Sequence, residues 1–384
     1  MSIALPPNVS DDEAPILNRS AEPLFRPFDL KGLMLPNRIV MAPMTRSHSP
    51  EGVPGPGVAA YYRRRAEGEV GLIITEGTYV DHPSAGFDPD VPHFYGGQAL
   101  EGWRRVAEQV HAAGGRIFPQ LWHVGMTVSP GQQPREGGTP IGPSGFSKPG
   151  ERTGEPMTQA DIAAVIDAFA KGAGEAQALG FDGVELHGAH GYLIDQFFWE
   201  GTNQRTDKYG GDLVSRTRFA ADIIAEVRRR VGPDYPVVLR WSQWKLQDFD
   251  AKLARTPGEL EQFLRPLVDA GVDAFHCSTR RFWEPEFEGS DLNLAGWTKK
   301  LTGKPTITVG SVTLNEDLMT SFGTTNTARV AGLDNLLERL DRDEFDLVAI
   351  GRSLIVNPGW PDIVRRNALS ELRPFNRSVL SELI

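Results

Sequence analysis

The sequence predicts a (β/α)₈ barrel, and three observations carry that expectation. Short apolar, strand-like runs recur eight times, longer amphipathic patterns separate most of them, and the connections are long enough to return each strand parallel to the last. Such a barrel takes about 250 residues. A chain of 384 residues therefore carries insertions too. A doubly wound open sheet shares the alternation and is the alternative, but eight evenly spaced units favour closure.

In chain order, the first strand is placed at Arg38–Met41 and is followed by a helix at Val58–Ala66. The second, Val70–Glu76, precedes a helix at Leu100–Ala113. After the third, Arg116–Leu121, residues 128–156 (VSPGQQPREGGTPIGPSGFSKPGERTGEP) are rich in Pro and Gly and read as a long loop. The helix at Thr158–Leu179 opens with TQAD, a capping-box-like start in which Asp161 stands where Glu or Gln is usual. Strand four is placed at Gly183–Leu186, followed by a helix at Ser215–Arg230; strand five at Val237–Arg240, followed by a helix at Pro257–Ala270. The remaining strands are Ala274–Cys277, Pro305–Val309 and Leu347–Ile350. Helical patterns between these three are the weakest in the chain, with one candidate at Leu333–Leu340. The expected organisation is a flexible arm over 1–22, one barrel over 23–375 and a tail over 376–384.

Composition narrows the function. Lys and Arg number 40 against 50 Asp and Glu, a net charge of −10, and no basic tract is present, so a nucleic-acid or anionic-membrane partner is not expected. One cysteine, Cys277, excludes an intrachain disulfide framework and any cysteine-ligated zinc or iron–sulfur cluster, and it suits a reducing compartment. The N-terminus lacks the basic start and apolar core of a signal peptide, and no run approaches the roughly 20 apolar residues of a membrane helix. A cytoplasmic protein, monomer or homodimer, is expected.

In such barrels chemistry sits where the strands end. After strands seven and eight come VGS and IGRS: Gly310, Ser311, Gly351 and Arg352 have the chemistry of a phosphate cradle. After strand four comes HGAHGY, which crowds His187, His190 and Tyr192. They either fill a packed corner or line a reaction site. A metal site would need a third ligand, and none is evident. His123, His276 and Cys277 read as wall or core residues, and Arg205 and Asp207 as a pair that pins a loop. Trp241, Trp244, Phe282 and Trp283 either line a pocket or seal the rim. GPGVAA (Gly55–Ala60) imitates a dinucleotide fingerprint but follows a loop rather than a strand, so no separate nicotinamide domain is expected.

Five motifs in order, LPNRIVMAPMTR (Leu35–Arg46), PQLWHVG, HGAHGYLIDQF, NQRTDKYGG (Asn203–Gly211) and IGRS, resemble the old yellow enzyme family of FMN-dependent ene-reductases, from about Leu24 to Pro374. The resemblance implies FMN, with its phosphate near Gly310, Ser311, Gly351 and Arg352. It implies that Ala42, Pro43, Met44 and Thr45 border the flavin, that Gly77 admits the ring closely, and that Gln120 and Arg240 meet its pyrimidine edge. His187 and His190 would hold a substrate's carbonyl or nitro oxygen. Tyr192 would protonate the α-carbon from the face opposite hydride attack, and Trp283 would add a substrate contact. NADH or NADPH would reduce the flavin in the same pocket, giving ping-pong turnover with an activated alkene.

The sequence departs from the family pattern in places: His190 stands where many members have asparagine, Thr45 where one branch has cysteine, and VGS is less glycine-rich than some phosphate loops. Two rival readings remain: a non-flavin barrel acting on a phosphorylated substrate, and a flavin-binding protein without turnover. The first would need a Schiff-base lysine or a carboxylate base at a strand end, and no lysine stands at any of the eight predicted ends.

Overall fold

A computed structural model describes residues 17–128, 138–317 and 327–384. Eight strands, β1 (Ile39–Met41), β2 (Leu72–Tyr79), β3 (Ile117–Trp122), β4 (Val184–His190), β5 (Val237–Lys245), β6 (Ala274–Ser278), β7 (Thr306–Val309) and β8 (Leu347–Ile350), close into a barrel. Every pairing is parallel, including β8 to β1, so the open-sheet alternative is excluded. All eight predicted strands are present.

Side chains alternate along a strand, so every second residue enters the barrel. At the strand starts these inward positions are apolar: Val40, Leu72, Ile74, Phe118, Val238, Ala274, Ile307 and Leu347 form one cluster with Leu30 and Leu35. The last two belong to an antiparallel hairpin, Phe28–Leu30 with Leu33–Leu35, which plugs that end. Two residues further along the same rows the chemistry changes. Phe118 gives way to Gln120 and Trp122, Val238 to Arg240, and Ala274 to His276 and Ser278. One end of the barrel is thus a sealed apolar plug and the other a polar floor.

The ring of helices includes α1 (Pro56–Glu67), α2 (Gly97–Ala112), α3 (Gln159–Ala178), α4 (Leu193–Phe198), α5 (Arg218–Val231), α6 (Pro257–Asp269), α7 (Leu294–Thr302), α8 (Asp334–Asp341) and α9 (Arg352–Val356). The predicted cap of α3 forms: Thr158 Oγ1 accepts the Asp161 N–H at 3.2 Å, while the Asp161 carboxylate accepts the Thr158 N–H at 2.8 Å. The sequence pattern does not reveal α7, because it is nine residues long and its buried face includes Ala295, Gly296 and Thr298 rather than a row of large apolar residues. Its boundaries were nonetheless written locally. Asn293 accepts the Gly296 N–H at 2.9 Å, and Gly303 at φ +67° ends the helix.

The expected loop after β3 holds small ladders of its own, Ile141–Gly142 with Glu155–Pro156 and Phe146–Lys148 with Glu151–Arg152; residues 129–137 lie outside the described residues. Arg205 pins it as expected. Its guanidinium donates to the carbonyls of Pro143 (2.9 Å) and Met157 (2.6 Å) and is held by Asp207 at 2.6 Å. Residues 1–16 of the expected arm lie outside the described residues, but Leu17 and Asn18 are docked by hydrogen bonds to Asn367 and Asp334. The tail is also docked, with Arg46 donating to the Glu382 carbonyl at 2.6 Å.

Several strands outrun the expectation, β4 and β5 furthest. β4 continues past Leu186 through both histidines, with a register irregularity between Gly188 and His190, and β5 continues past Arg240 to Lys245, which pairs with His190. The expectation that no lysine ends a strand is therefore corrected. A strand can carry Lys245 because its ammonium is fully buried against Asp195 (2.7 Å) and the Ser242 carbonyl (3.0 Å). The other Asp195 oxygen accepts the Gly191 N–H at 2.7 Å. Burial opposes both charges, pushing the Asp195 carboxyl up to about 6 and the Lys245 ammonium down, and the pair is held by these bonds. Asp195→Ala leaves a buried ammonium without its counter-charge. It is expected to lose about 3–5 kcal/mol of stability, read as a lowered urea midpoint, whereas an apolar replacement of both partners should recover only part of the loss, since the Gly191 N–H still lacks its acceptor.

Candidate active site

The polar ends of the strands surround one cavity of about 380 Å³, within the range of small-molecule sites. Its wall brings together Ala42, Pro43, Met44 and Thr45 from the loop after β1 with Gln120 of β3 and Arg240 of β5. His187, His190 and Tyr192 line it too, as do Gly310, Ser311, Gly351 and Arg352. Segments more than 300 residues apart in sequence thus meet, and two predicted site residues do not line the cavity.

Gly77 lies behind the wall. A Cβ there would fall 2.6 Å from the Trp122 ring and 3.3 Å from Gln120 Oε1, so this glycine admits the indole of Trp122 rather than facing the cavity itself. Trp283 is a correction. After β6 the chain turns away, with the Phe282 N–H on the Gly310 carbonyl (3.1 Å), and Trp283 packs edge-on against Phe282 at 5.1 Å. Of the four aromatic candidates only Trp244 reaches the cavity, because Trp241, at the opposite parity from Arg240, packs against Phe263 at 5.1 Å.

Each functional side chain has a support. The loop after β1 is held by Glu76, whose carboxylate accepts the N–H groups of Arg46 (2.9 Å) and Ser47 (3.2 Å); burial pushes this carboxyl up to about 7. Gln120 donates to Glu185 at 2.8 Å, and the other Glu185 oxygen is 2.7 Å from His276 Nδ1. Glu185 and His276 are fully buried below the cavity floor. That orients the Gln120 amide. The signal for Glu185 was a carboxylate in an apolar run, two residues before His187 and so on the same inward row.

The histidines and the tyrosine form an aromatic corner. The ring centres of His187 and His190 are 5.2 Å apart, and Tyr192 lies 4.9 Å from His187. Trp122 stacks on His187 at 5.9 Å, and Trp244 on His190 at 4.5 Å. Burial and the nearby Arg240 charge hold both imidazoles well below the usual histidine range, so they are neutral. His187 Nδ1 accepts the Ala189 N–H at 3.4 Å, which places its own proton on Nε2. Burial pushes the Tyr192 phenol up to about 12, against the pull of Arg240, so it is a proton donor at neutral pH.

At the other end, Gly310 has φ +141°, and a Cβ there would meet Thr279 Oγ1 at 2.7 Å. Only glycine fits this cradle. Arg352 clasps the same turn, donating to the carbonyls of Asp317 (3.1 Å) and Glu316 (2.6 Å) and to Ser311 Oγ (3.3 Å). The Ser311 hydroxyl is itself occupied by the carbonyls of Arg280 (3.0 Å) and Glu316 (3.1 Å), so what Ser311 has to offer an anion is its backbone N–H.

The residues fit a flavin mononucleotide. Arg240 is a buried guanidinium with one long hydrogen bond, to Ser278 Oγ at 3.4 Å. Its Nε has no partner, and among the described residues no carboxylate lies within ion-pair distance. A buried cation in this state calls for an electron-rich group in the cavity, while the cradle some residues away calls for an anion.

The model of the NADH:flavin oxidoreductase / NADH oxidase family matches residues 23–371. The chain belongs to this family. The old yellow enzymes fall within it, so the resemblance read from the motifs holds, and the cofactor of the family is FMN. The chain is 35% identical over 362 residues to an NADH oxidase of Thermoanaerobacter brockii, covering 91% of this chain and 52% of that protein. It is 39% identical over 230 residues to 12-oxophytodienoate reductase 7 of Oryza sativa subsp. japonica, covering 55% of this chain and 56% of the other. The chain thus spans about half the length of these curated relatives. Among solved structures, morphinone reductase in complex with tetrahydroNAD superposes with a TM-score of 0.75 at 30% identity, covering 94% of each chain. No described helix is long and apolar enough to cross a membrane.

Arg352→Ala removes the guanidinium that ties the 311–317 turn to α9. FMN retention should fall, so dialysed protein should lose its visible absorbance; full flavin occupancy after dialysis would refute the cradle.

Proposed function

We propose that this protein is an ene-reductase, taking hydride from NAD(P)H and delivering it to the β-carbon of an activated alkene such as an α,β-unsaturated carbonyl or nitro compound. One observation carries the reading: a neutral two-imidazole corner and a protonated phenol share a single cavity with a buried arginine that has no ion-pair partner among the described residues. When bound, FMN supplies the chemistry the side chains lack, accepting hydride from the nicotinamide and passing it to the alkene.

The chain's own residues do the rest. Arg240 presents a fixed positive charge where negative charge develops on reduction, and Gln120, oriented by Glu185, adds a polar contact beside it. His187 Nε2–H and a donor from His190 hold the substrate oxygen and polarise the double bond. Neutral imidazoles suit this work, because a donor that keeps its proton stabilises charge without being consumed. Tyr192 gives the proton to the α-carbon. The phenolate left behind lies in the field of Arg240, the charge that already favours that form. Apolar and aromatic walls from Trp122, Trp244, Leu246 and Leu314 exclude water.

Both rival readings meet specific observations. Lys245, the lysine that β5 brings to a strand end, is fully buried against Asp195 and does not line the cavity, so it is not available as a Schiff-base nucleophile. A flavin carrier without turnover has no need of the Tyr192 corner. The deciding experiment is a visible spectrum of the purified protein, then anaerobic NAD(P)H, then a panel of activated alkenes. Bleaching followed by alkene-dependent recovery supports the proposal, and a flavin that bleaches but never recovers with any alkene sinks it.

Tyr192→Phe should leave the rate of flavin bleaching by NAD(P)H within a few-fold while slowing alkene turnover about 10²- to 10⁴-fold, the usual scale for a lost proton donor. In the parent enzyme the alkene step should show no Tyr192 titration in the neutral and mildly alkaline range. Unchanged turnover in the variant removes Tyr192 from the role.

A further inference from the structure

Ser278, the last residue of β6, lies between two groups the chemistry uses. Its hydroxyl oxygen is 2.7 Å from His190 Nε2 and accepts from the Arg240 guanidinium at 3.4 Å. Among the described residues no other side chain or carbonyl accepts the Ser278 hydroxyl proton. A neutral imidazole has one nitrogen that donates and one that accepts. With an oxygen lone pair turned toward Arg240 and a proton to place, the hydroxyl satisfies both by donating to His190 Nε2.

We propose that Ser278 is a positioning residue that fixes His190 as the Nδ1–H tautomer, so that Nδ1–H is the hydrogen His190 offers a substrate oxygen. His187 is set the opposite way, with Nδ1 accepting from Ala189 and Nε2–H free to donate. The two histidines of one strand then present different ring edges, which is how side chains three residues apart can converge on one atom. The backbone of Ser278 completes the device. Its carbonyl accepts from Trp244 Nε1 at 3.1 Å, and that indole lies on the His190 ring at 4.5 Å, opposing a ring flip. His190 itself is held at φ +65° by its N–H on Ser242 Oγ (2.9 Å). Burial, with the charges of Arg240 and Lys245 nearby, keeps the ring neutral, the form in which a tautomer exists at all. The arrangement also links the flavin-edge arginine to the substrate donor through one hydroxyl.

The substrate role rests on the ene-reductase reading; the tautomer does not. The test is long-range ¹H–¹⁵N NMR on the FMN-loaded protein labelled at histidine nitrogens, with His190 assigned by its absence in His190→Asn. A protonated Nδ1 and unprotonated Nε2 are expected in the parent protein, shifting toward the other tautomer or a mixture in Ser278→Ala. An Nε2–H signal for His190 in the parent protein, or an unchanged tautomer in Ser278→Ala, would overturn the proposal. In parallel, kcat/KM for an alkene should fall about 10- to 100-fold in Ser278→Ala, by analogy with metal-bound histidines that lose the partner orienting them. If the tautomer shifts as expected but no alkene is turned over by the parent enzyme, the positioning stands and the ene-reductase reading fails.

Discussion

The arrangement depends on one buried charge. Arg240 enters the barrel at the level where apolar side chains end, and among the described residues no carboxylate comes within ion-pair distance to neutralise it. Such a group is expensive to bury, and its persistence needs an explanation in what the cavity is built to hold. The charge also acts on its surroundings: it adds to burial in keeping the His187 and His190 rings neutral, and against burial it favours the ionised form of Tyr192. A carboxylate placed beside Arg240 would neutralise it and remove its share of all three effects. Glu185, on the adjacent strand, instead spends its two oxygens on Gln120 and His276.

Most of the fold could be read from the chain because a barrel strand is a short-range object. Parity and apolarity locate Val237–Arg240 or Leu347–Ile350 without reference to anything distant. Where reading failed, the deciding contact was distant. Lys245 ends β5 because Asp195, fifty residues earlier, receives its ammonium. No local rule would extend a strand through Ser242, Gln243 and Lys245, since each is polar and each is satisfied by a partner from elsewhere: Gln243, for example, by the backbone of Leu253 and Ala254.

The site divides along the same line. His187, His190, Tyr192, Arg240 and the glycines of the cradle were legible because each belongs to a short motif at a strand end. Glu185 and Ser278 were not assigned roles, and His276 was read only as wall or core, because their work is done on other side chains; Trp244 was left between pocket wall and rim, and it lines the cavity. Trp283 shows the converse error. A bulky aromatic soon after a strand end satisfies every sequence criterion for a pocket wall, yet past the Phe282 N–H bond to Gly310 it packs on Phe282 and does not line the cavity.

Strain and support are matched within this corner. His190 is a non-glycine residue in the left-handed region, beside a glycine in the same region, and that conformation survives only if the surroundings over-determine it. They do so from three directions: the Asp195 carboxylate holds the Gly191 N–H, Ser242 holds the His190 N–H, and the His190 carbonyl accepts from Leu246. Lys245 ties these together, since its ammonium is bonded both to Asp195 and to the Ser242 carbonyl. The buried ion pair is therefore better understood as the anchor of a strained turn than as a contribution to barrel stability. An apolar pair in its place could fill the same volume, but it would leave the Gly191 N–H without its acceptor and the turn that aims His190 and Tyr192 without its support.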